Sequence, residues 1–209
     1  MVPYLAFVLL RIPLPLTVIQ ILAVDLGTDM VPALGLGVEP PHPQVMKLPP
    51  RPRTERLVQW PLLARAYLWL GAMQAVAAMA AYFFILLRGG WVYGTTLDPA
   101  EALYREATTG CLAAIIFMQV ANVFICRSEV LSAFRFRWRS NPLLLWGVAV
   151  ECLLALAVVY TPWGNAVFGT APLGLADWLF IAPFALAMLA VEELRKLILR
   201  RRGCRVSGL

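Results

Sequence analysis

Long apolar runs, separated by short polar segments, dominate the chain and predict its helices. A helix needs roughly 20 apolar residues to cross a bilayer, and five runs approach that length: 14–36, 60–87, 104–126, 142–160 and about 175–191. A sixth run, residues 1–10, is too short to cross. The pattern predicts an all-α integral membrane protein, a bundle of about five full transmembrane helices after a truncated one. We expect Met1 to be a truncation point or a misassigned start.

Composition and cysteine usage support the membrane setting. Apolar residues make up 61% of the 209 positions and charged residues 14%, whereas soluble domains carry about 25% charged residues. The cysteines form no CxxC pair, which argues against a disulfide scaffold or a zinc site. We expect all four to be packing residues; they are Cys111, Cys126, Cys152 and Cys204.

The excess of six positive charges fits either nucleic acid or anionic lipid, and its placement decides between them. Basic residues flank the predicted spans instead of forming one basic face, so we expect a lipid bilayer and no nucleic acid as partner. If loop 38–59 is cytoplasmic, all of the 18 lysines and arginines except Arg11, Arg88 and Arg105 fall on the cytoplasmic side. The positive-inside rule therefore places loop 38–59, loop 127–141 and the C-terminus in the cytoplasm.

Two of these cytoplasmic segments have a distinctive composition. Loop 38–59 has six prolines between residues 40 and 52, so it cannot be helical throughout and should run extended over the surface. The FRFRWR run at 134–139 alternates aromatic and basic residues. We interpret it as an interfacial anchor, with aromatic rings at headgroup level and arginines toward anionic lipid.

Two aspartates four positions apart interrupt the first predicted span. Asp25 and Asp29 lie between apolar flanks, 12–23 and 30–37, that contain no ionisable residue. A carboxylate near mid-bilayer costs several kcal/mol unless it has a partner. On a regular helix, two carboxylates at this spacing share a face and repel each other. A bound cation would remove that conflict; alternatively, one aspartate is protonated and both form hydrogen bonds to neighbouring helices.

The residues around this pair favour a site for a hard cation. Gly27 and Pro32 weaken the helix where backbone carbonyls could turn inward as ligands. Thr28 adds a hydroxyl oxygen. Ligation by oxygen alone suits calcium, sodium or potassium, and does not suit zinc or copper.

Other predicted spans carry further polar residues. Gln119 and Asn122 lie three apart on one face of 104–126, and Glu151 lies within 142–160. The two amides could bind a cation or form hydrogen bonds between helices. Glu151 could serve a cation, a salt bridge or a proton path.

The polar and proline-rich strings resemble one family of membrane proteins. IPLPLTVIQILAVDLGTDMVPALGLGVEPP, followed by QVMKLPPRPRTERLV, is similar to the sixth transmembrane helix and adjoining cytoplasmic loop of type II P-type cation ATPases, which include calcium and sodium/potassium pumps. EELRKLILRRR at 192–202 is similar to the end of their tenth helix. The resemblance implies that residues 1–202 form the C-terminal transmembrane domain, from the end of helix five through helix ten, and 203–209 a short cytoplasmic tail.

The resemblance also implies roles for the polar residues of the first span. Asp25 and Asp29 fall on the two positions of the unwound sixth helix that coordinate transported cations. Thr28 falls on a ligand of the first cation site.

Three further positions carry over from helices eight and nine. Gln119 matches a position that is glutamate in calcium pumps and glutamine in sodium/potassium pumps. Glu151 matches a glutamate of the third sodium site. Asn122 departs from that pattern, because sodium/potassium pumps have an aspartate there.

The same family sets limits on what this chain does. It contains no DKTG phosphorylation motif, no TGES motif and no nucleotide-binding segment, so it has no catalytic aspartate and cannot hydrolyse ATP alone. We expect no cofactor in this chain and Mg-ATP only in the full-length pump, with the N-terminal catalytic part of the same pump as partner. The alternative is a free-standing, non-enzymatic membrane protein that binds cations or regulates a pump.

The identity of the transported ion depends on small differences from the family pattern. The amide at Asn122 and the EPP after the first span are more like calcium pumps, including many bacterial ones, whereas Asp25 is shared with sodium/potassium pumps. The sequence therefore favours calcium over sodium or potassium and predicts a bacterial plasma membrane.

Overall fold

All regular secondary structure in the described part of the protein is helical. The structure is a computed structural model that describes residues 2–40, 59–128, 132–133 and 140–201, and no strand occurs within these ranges. The elements in chain order are α1 (Val2–Leu10), α2 (Val18–Leu22), the π-helical turn π1 (Ala23–Thr28), α3 (Met30–Gly37), α4 (Trp60–Leu63), the π-helical stretch π2 (Ala64–Leu70), α5 (Gly71–Arg88), α6 (Ala102–Cys126), α7 (Pro142–Tyr160), α8 (Pro162–Phe168) and α9 (Leu175–Arg201).

Five helical stretches are long and apolar enough to cross a membrane, which confirms the predicted all-α bundle. They are Val18–Gly37, Trp60–Arg88, Ala102–Cys126, Pro142–Tyr160 and Leu175–Arg201. The first starts at Val18, later than predicted, because Thr17 caps α2 in a reciprocal capping box with Gln20. The last span continues past residue 191 to Arg201. The charged residues there favour helix, and their side chains form hydrogen bonds and ion pairs inside the bundle.

Helix α6 lies at the centre of the bundle. It packs against α5, α9, α7 and α3. In the most apolar 18-residue stretch of α6, 61% is buried inside the protein, compared with 28% in the first span, α7 and α9. Alanines on α5 and α6, including Ala81 and Ala107, are fully buried in the main core. Small residues of this kind allow membrane helices to approach closely. Such close packing favours helix association in the membrane, where lipid provides no hydrophobic driving force between helices.

A charged cluster lies where α9 extends beyond its apolar run. The carboxylate of Glu192 is fully buried. It accepts hydrogen bonds from the side chains of Arg65, Trp69 and Arg195. The buried Lys196 ammonium donates to the carbonyl of Ile125 at 2.9 Å, in the last turn of α6, where helix carbonyls favour a cation. The cluster therefore ties α9 to π2 and to α6.

Helices α3 and α7 approach each other through two glycines. A Cβ placed on Gly35 would lie 2.8 Å from the Leu144 Cα, and one placed on Gly147 would lie 3.1 Å from the Pro32 Cα. Residue numbers therefore rise along α3 as they fall along α7, so the two helices run antiparallel.

The close approach makes Gly35 sensitive to one added methyl group. We expect Gly35→Ala to destabilise the chain by about 1–3 kcal/mol, because the new Cβ meets backbone that cannot rotate away. The matched control is Gly37→Ala on the same helix, where a Cβ meets nothing within 4 Å. Thermal unfolding in detergent, followed by circular dichroism, compares the two; equal midpoints would contradict the packing described here.

The cysteine prediction holds for only one described residue. Cys111 is buried in the core, whereas Cys126 and Cys152 are exposed on the surface of the chain. The interpretation as packing residues is wrong for these two, because their helices turn those positions outward.

Several sequence predictions lie outside the described residues. They concern the proline-rich segment 41–58, the proposed interfacial anchor 134–139, and the C-terminal tail with Cys204. The membrane orientation and the division at residue 202 stay predictions.

Candidate functional site

The first span changes its hydrogen-bonding pattern where the sequence places the aspartates. The Asp29 N–H donates to the Val24 carbonyl at 3.0 Å, five residues back, and the Thr28 hydroxyl donates to the same oxygen at 3.1 Å. Pro32 has no N–H to offer the Thr28 carbonyl. The expected weakness is present, but it takes the form of the π-helical turn π1, not an unwound segment. Such turns occur often at functional sites.

The polar residues of π1 and of its C-terminal cap, Asp29, divide between two faces of the span. Thr28 is buried, 3% exposed, on the face toward the bundle. Asp25 and Asp29 are exposed on the surface of the chain. The two carboxyl groups lie close enough for their charges to repel each other when both are ionised.

Glu151 is a buried carboxylate in the middle of α7. Its residue is 1% exposed, and within the described ranges neither carboxylate oxygen has a hydrogen-bond partner. Buried polar atoms in proteins almost always have partners. Helix α7 contacts π1, and continuing the α3–α7 register by one turn from Pro32 and Gly147 places Thr28 opposite Glu151. Glu151 therefore faces π1.

The two amides of α6 behave differently from each other. The Gln119 Oε1 atom is buried and, among the described residues, has no hydrogen-bond partner. The Asn122 Oδ1 atom accepts from the Cys126 thiol at 3.4 Å, within its own helix. Helix α6 packs against π1, α3 and α7, so both amides lie on a neighbour of the aspartate-bearing span.

The six predicted ligands thus lie on three helices that contact one another. Thr28 and Glu151 are buried where π1 meets α7, whereas Asp25 and Asp29 are exposed on the surface of the chain. Within the part of the chain that is described, no three carboxylate, histidine or cysteine side chains converge closely enough to hold a metal ion. The oxygen atoms of these residues lie along the contacts between the helices, and the described residues do not surround a closed cation site.

Sequence reasoning missed Gln20, a buried residue at the other end of the same span. Its Nε2 donates to the Thr108 hydroxyl at 3.4 Å and to the Phe168 carbonyl at 3.3 Å. Its Oε1 accepts from the Thr17 N–H at 3.1 Å. A Thr-x-x-Gln capping signature was visible in the sequence, but its partners on α6 and α8 were not. Gln20 fixes the start of the span against the bundle.

Comparison with known proteins assigns the chain to a family. Residues 13–198 match the profile described as "Cation transporting ATPase, C-terminus". The chain is 34% identical, over 96% of its length, to the sodium/potassium-transporting ATPase subunit alpha-4 of Rattus norvegicus, and 34% identical over 95% to subunit alpha-2 of Gallus gallus. It is 33% identical over 95% of its length to the human subunit alpha-3. It spans 22% of the length of each of these relatives.

Two of the finer predictions gain no support from these relatives. All three are named as sodium/potassium-transporting, so the preference for calcium is not supported. All three come from animals, so the expected bacterial membrane gains no support either. The sequence signals for calcium were weak because they rested on one amide and one Pro-Pro pair. The broader interpretation is confirmed: this chain belongs to the cation-transporting ATPases and corresponds to their C-terminal membrane domain.

Proposed function

We propose that this chain is the C-terminal membrane part of an ATP-driven pump for sodium or potassium, to whose intramembrane site it contributes ligands. The proposed ligands are Asp25, Thr28, Asp29, Gln119, Asn122 and Glu151. The observation that carries the proposal is the buried carboxylate of Glu151, which has no hydrogen-bond partner in the described residues and faces π1.

A cation explains this arrangement better than protein contacts alone. Carboxylates in a low-dielectric interior repel strongly, and each is costly without a partner of opposite charge. Among the described residues, no lysine or arginine lies within ion-pair distance of Glu151, Asp25 or Asp29. A hard cation between Asp29 and Glu151 would offset part of their negative charge, and the unpaired Gln119 oxygen would be a further ligand. The choice of sodium or potassium follows the names of the relatives.

The energy for transport would come from outside this chain. Since the sequence contains no phosphorylation motif, we propose the N-terminal catalytic part of the same pump as partner, with Mg-ATP bound there. The exposed side of the first span, which carries Asp25 and Asp29, would face the remaining membrane helices of that pump. Cation release would follow when those helices move relative to π1.

A chimaeric pump tests this proposal. In it, this chain replaces the matching C-terminal region of the rat alpha-4 subunit, and phosphorylation by radiolabelled ATP is measured against sodium and potassium concentration. We expect cation-dependent phosphorylation. We also expect Glu151→Gln to raise the half-saturating cation concentration by about 30-fold or more, because it removes the charge of a direct ligand. The control is Glu106→Gln, which removes a carboxylate paired with Arg88 near the start of α6.

Two results would count against the proposal. A chimaeric pump without any cation-dependent phosphorylation would contradict the assignment as a pump domain. Equal half-saturating concentrations for Glu151→Gln and Glu106→Gln would remove Glu151 from the ligands.

A further inference from the structure

A buried polar network joins the end of the first span to α6 and α7. The Glu39 carboxylate, two residues beyond α3, accepts from Arg127 at 2.6 Å through one oxygen and from the Asn141 Nδ2 at 2.7 Å through the other. The Arg127 side chain is 3% exposed and that of Glu39 is 14% exposed. Charge-assisted hydrogen bonds that are shielded from water are the strong ones, so this network differs from an ordinary surface ion pair.

Asn141 connects this network directly to the contact between α3 and α7. Its residue is 3% exposed. Its Nδ2 also donates to the Gly35 carbonyl on α3 at 2.8 Å, while its Oδ1 accepts from the Leu144 N–H and so caps α7. One side chain therefore holds the last turn of α3 and the first turn of α7 together.

The contact that Asn141 makes with Gly35 lies on the same interface between the first span and α7 as the candidate cation site. Gly35 meets Leu144, and Pro32 meets Gly147 one turn deeper. The next turn brings Thr28 level with Glu151. A slip of one residue between the two helices would move these groups by about 1.5 Å along the axis. Oxygen–cation distances for a calcium-sized ion lie between roughly 2.3 and 2.6 Å, so a slip of that size would take a ligand out of coordination distance.

We propose that Asn141, together with Glu39 and Arg127, is a positioning cluster that sets the register of α3 against α7 and thereby the spacing of Asp29 and Glu151. The cluster does not touch the cation. It acts from the end of the first span, immediately before the proline-rich segment begins at Pro40. This inference rests on the proposed function, because it concerns the geometry of the same site.

Asn141→Asp separates positioning from simple helix capping. An aspartate still caps α7, because it keeps an oxygen that accepts from the Leu144 N–H. It loses the N–H donors to the Gly35 carbonyl and to Glu39, and it places a second carboxylate beside Glu39. Glu106→Gln serves as the control, since it breaks an ion pair of similar length, 2.9 Å, outside this network.

The first readout is the distance between α3 and α7 in the full chain, reconstituted in lipid nanodiscs. Spin labels at positions 34 and 146, both exposed, report that distance by double electron–electron resonance, with the native cysteines replaced by alanine. We expect Asn141→Asp to shift or broaden the distance distribution and Glu106→Gln to leave it unchanged. An unchanged distribution for Asn141→Asp overturns the proposal.

The second readout is cation-dependent phosphorylation of the chimaeric pump. We expect Asn141→Asp to raise the half-saturating cation concentration by about tenfold or more, as outer groups of a metal site do, while maximal phosphorylation stays at the wild-type level. A shifted distance with an unchanged half-saturating concentration overturns the link to the site. If the wild-type chimaeric pump shows no cation dependence, the proposed function fails and this inference fails with it.

Discussion

Asp29→Asn is expected to abolish cation-dependent phosphorylation of the chimaeric pump. Asp29 lies at the C-terminal end of π1, four residues after Asp25, and α7, which carries Glu151, packs against π1. Removing one member of a desolvated charge pair costs roughly 2–5 kcal/mol, which corresponds to a loss in cation affinity of about 30-fold or more. The amide keeps the size and shape of the side chain, so the loss would reflect charge.

The matched control for this substitution is Asp98→Asn. Asp98 lies in the segment between α5 and α6, where its Oδ1 accepts from the Ala100 N–H at 2.8 Å on the exposed surface. We expect this variant to keep the wild-type cation dependence. If Asp29→Asn also keeps it, Asp29 is not a ligand.

Glu192→Ala is expected to destabilise the chain more than any other single change considered above. Glu192 is fully buried and accepts from both Arg65 and Arg195, and the buried Lys196 ammonium lies on the same cluster. Removing one partner from a buried charge network costs about 3–5 kcal/mol, because the remaining charges stay desolvated without compensation. Unfolding of the full chain in mixed micelles at increasing SDS measures the change.

Glu106→Ala is the comparison for that experiment. It also removes a glutamate that pairs with an arginine, Arg88, but the two side chains are 31% and 42% exposed. Exposed pairs contribute about 0–1 kcal/mol. The charged cluster has the role described here only if Glu192→Ala lowers stability clearly more than Glu106→Ala does.

The bundle itself was predictable from the sequence because hydropathy over about 20 residues reports burial in lipid directly. The boundaries were less predictable where charge interrupts the signal. The last span continues through Glu192 and Lys196 to Arg201, since these side chains find partners inside the bundle that no local pattern reveals.

The candidate site was predictable in its residues but not in its arrangement. Carboxylates within an apolar run are visible in the sequence, so Asp25, Asp29 and Glu151 could be identified. The π-helical turn could not be predicted, because it depends on the Asp29 N–H donating to the Val24 carbonyl, five residues back, instead of the carbonyl four residues back. The partners of Asn141 are also beyond local reasoning, since Gly35 is 106 residues away along the chain.

The most direct test of the central claim is to locate the cation itself. Crystals of the chimaeric pump soaked in rubidium, a potassium congener, would show its position by anomalous diffraction. We predict an anomalous peak within direct coordination distance of the Asp29 and Glu151 carboxylates, where π1 meets α7. A fully occupied peak elsewhere, with Glu151 bonded only to protein groups, would contradict the account.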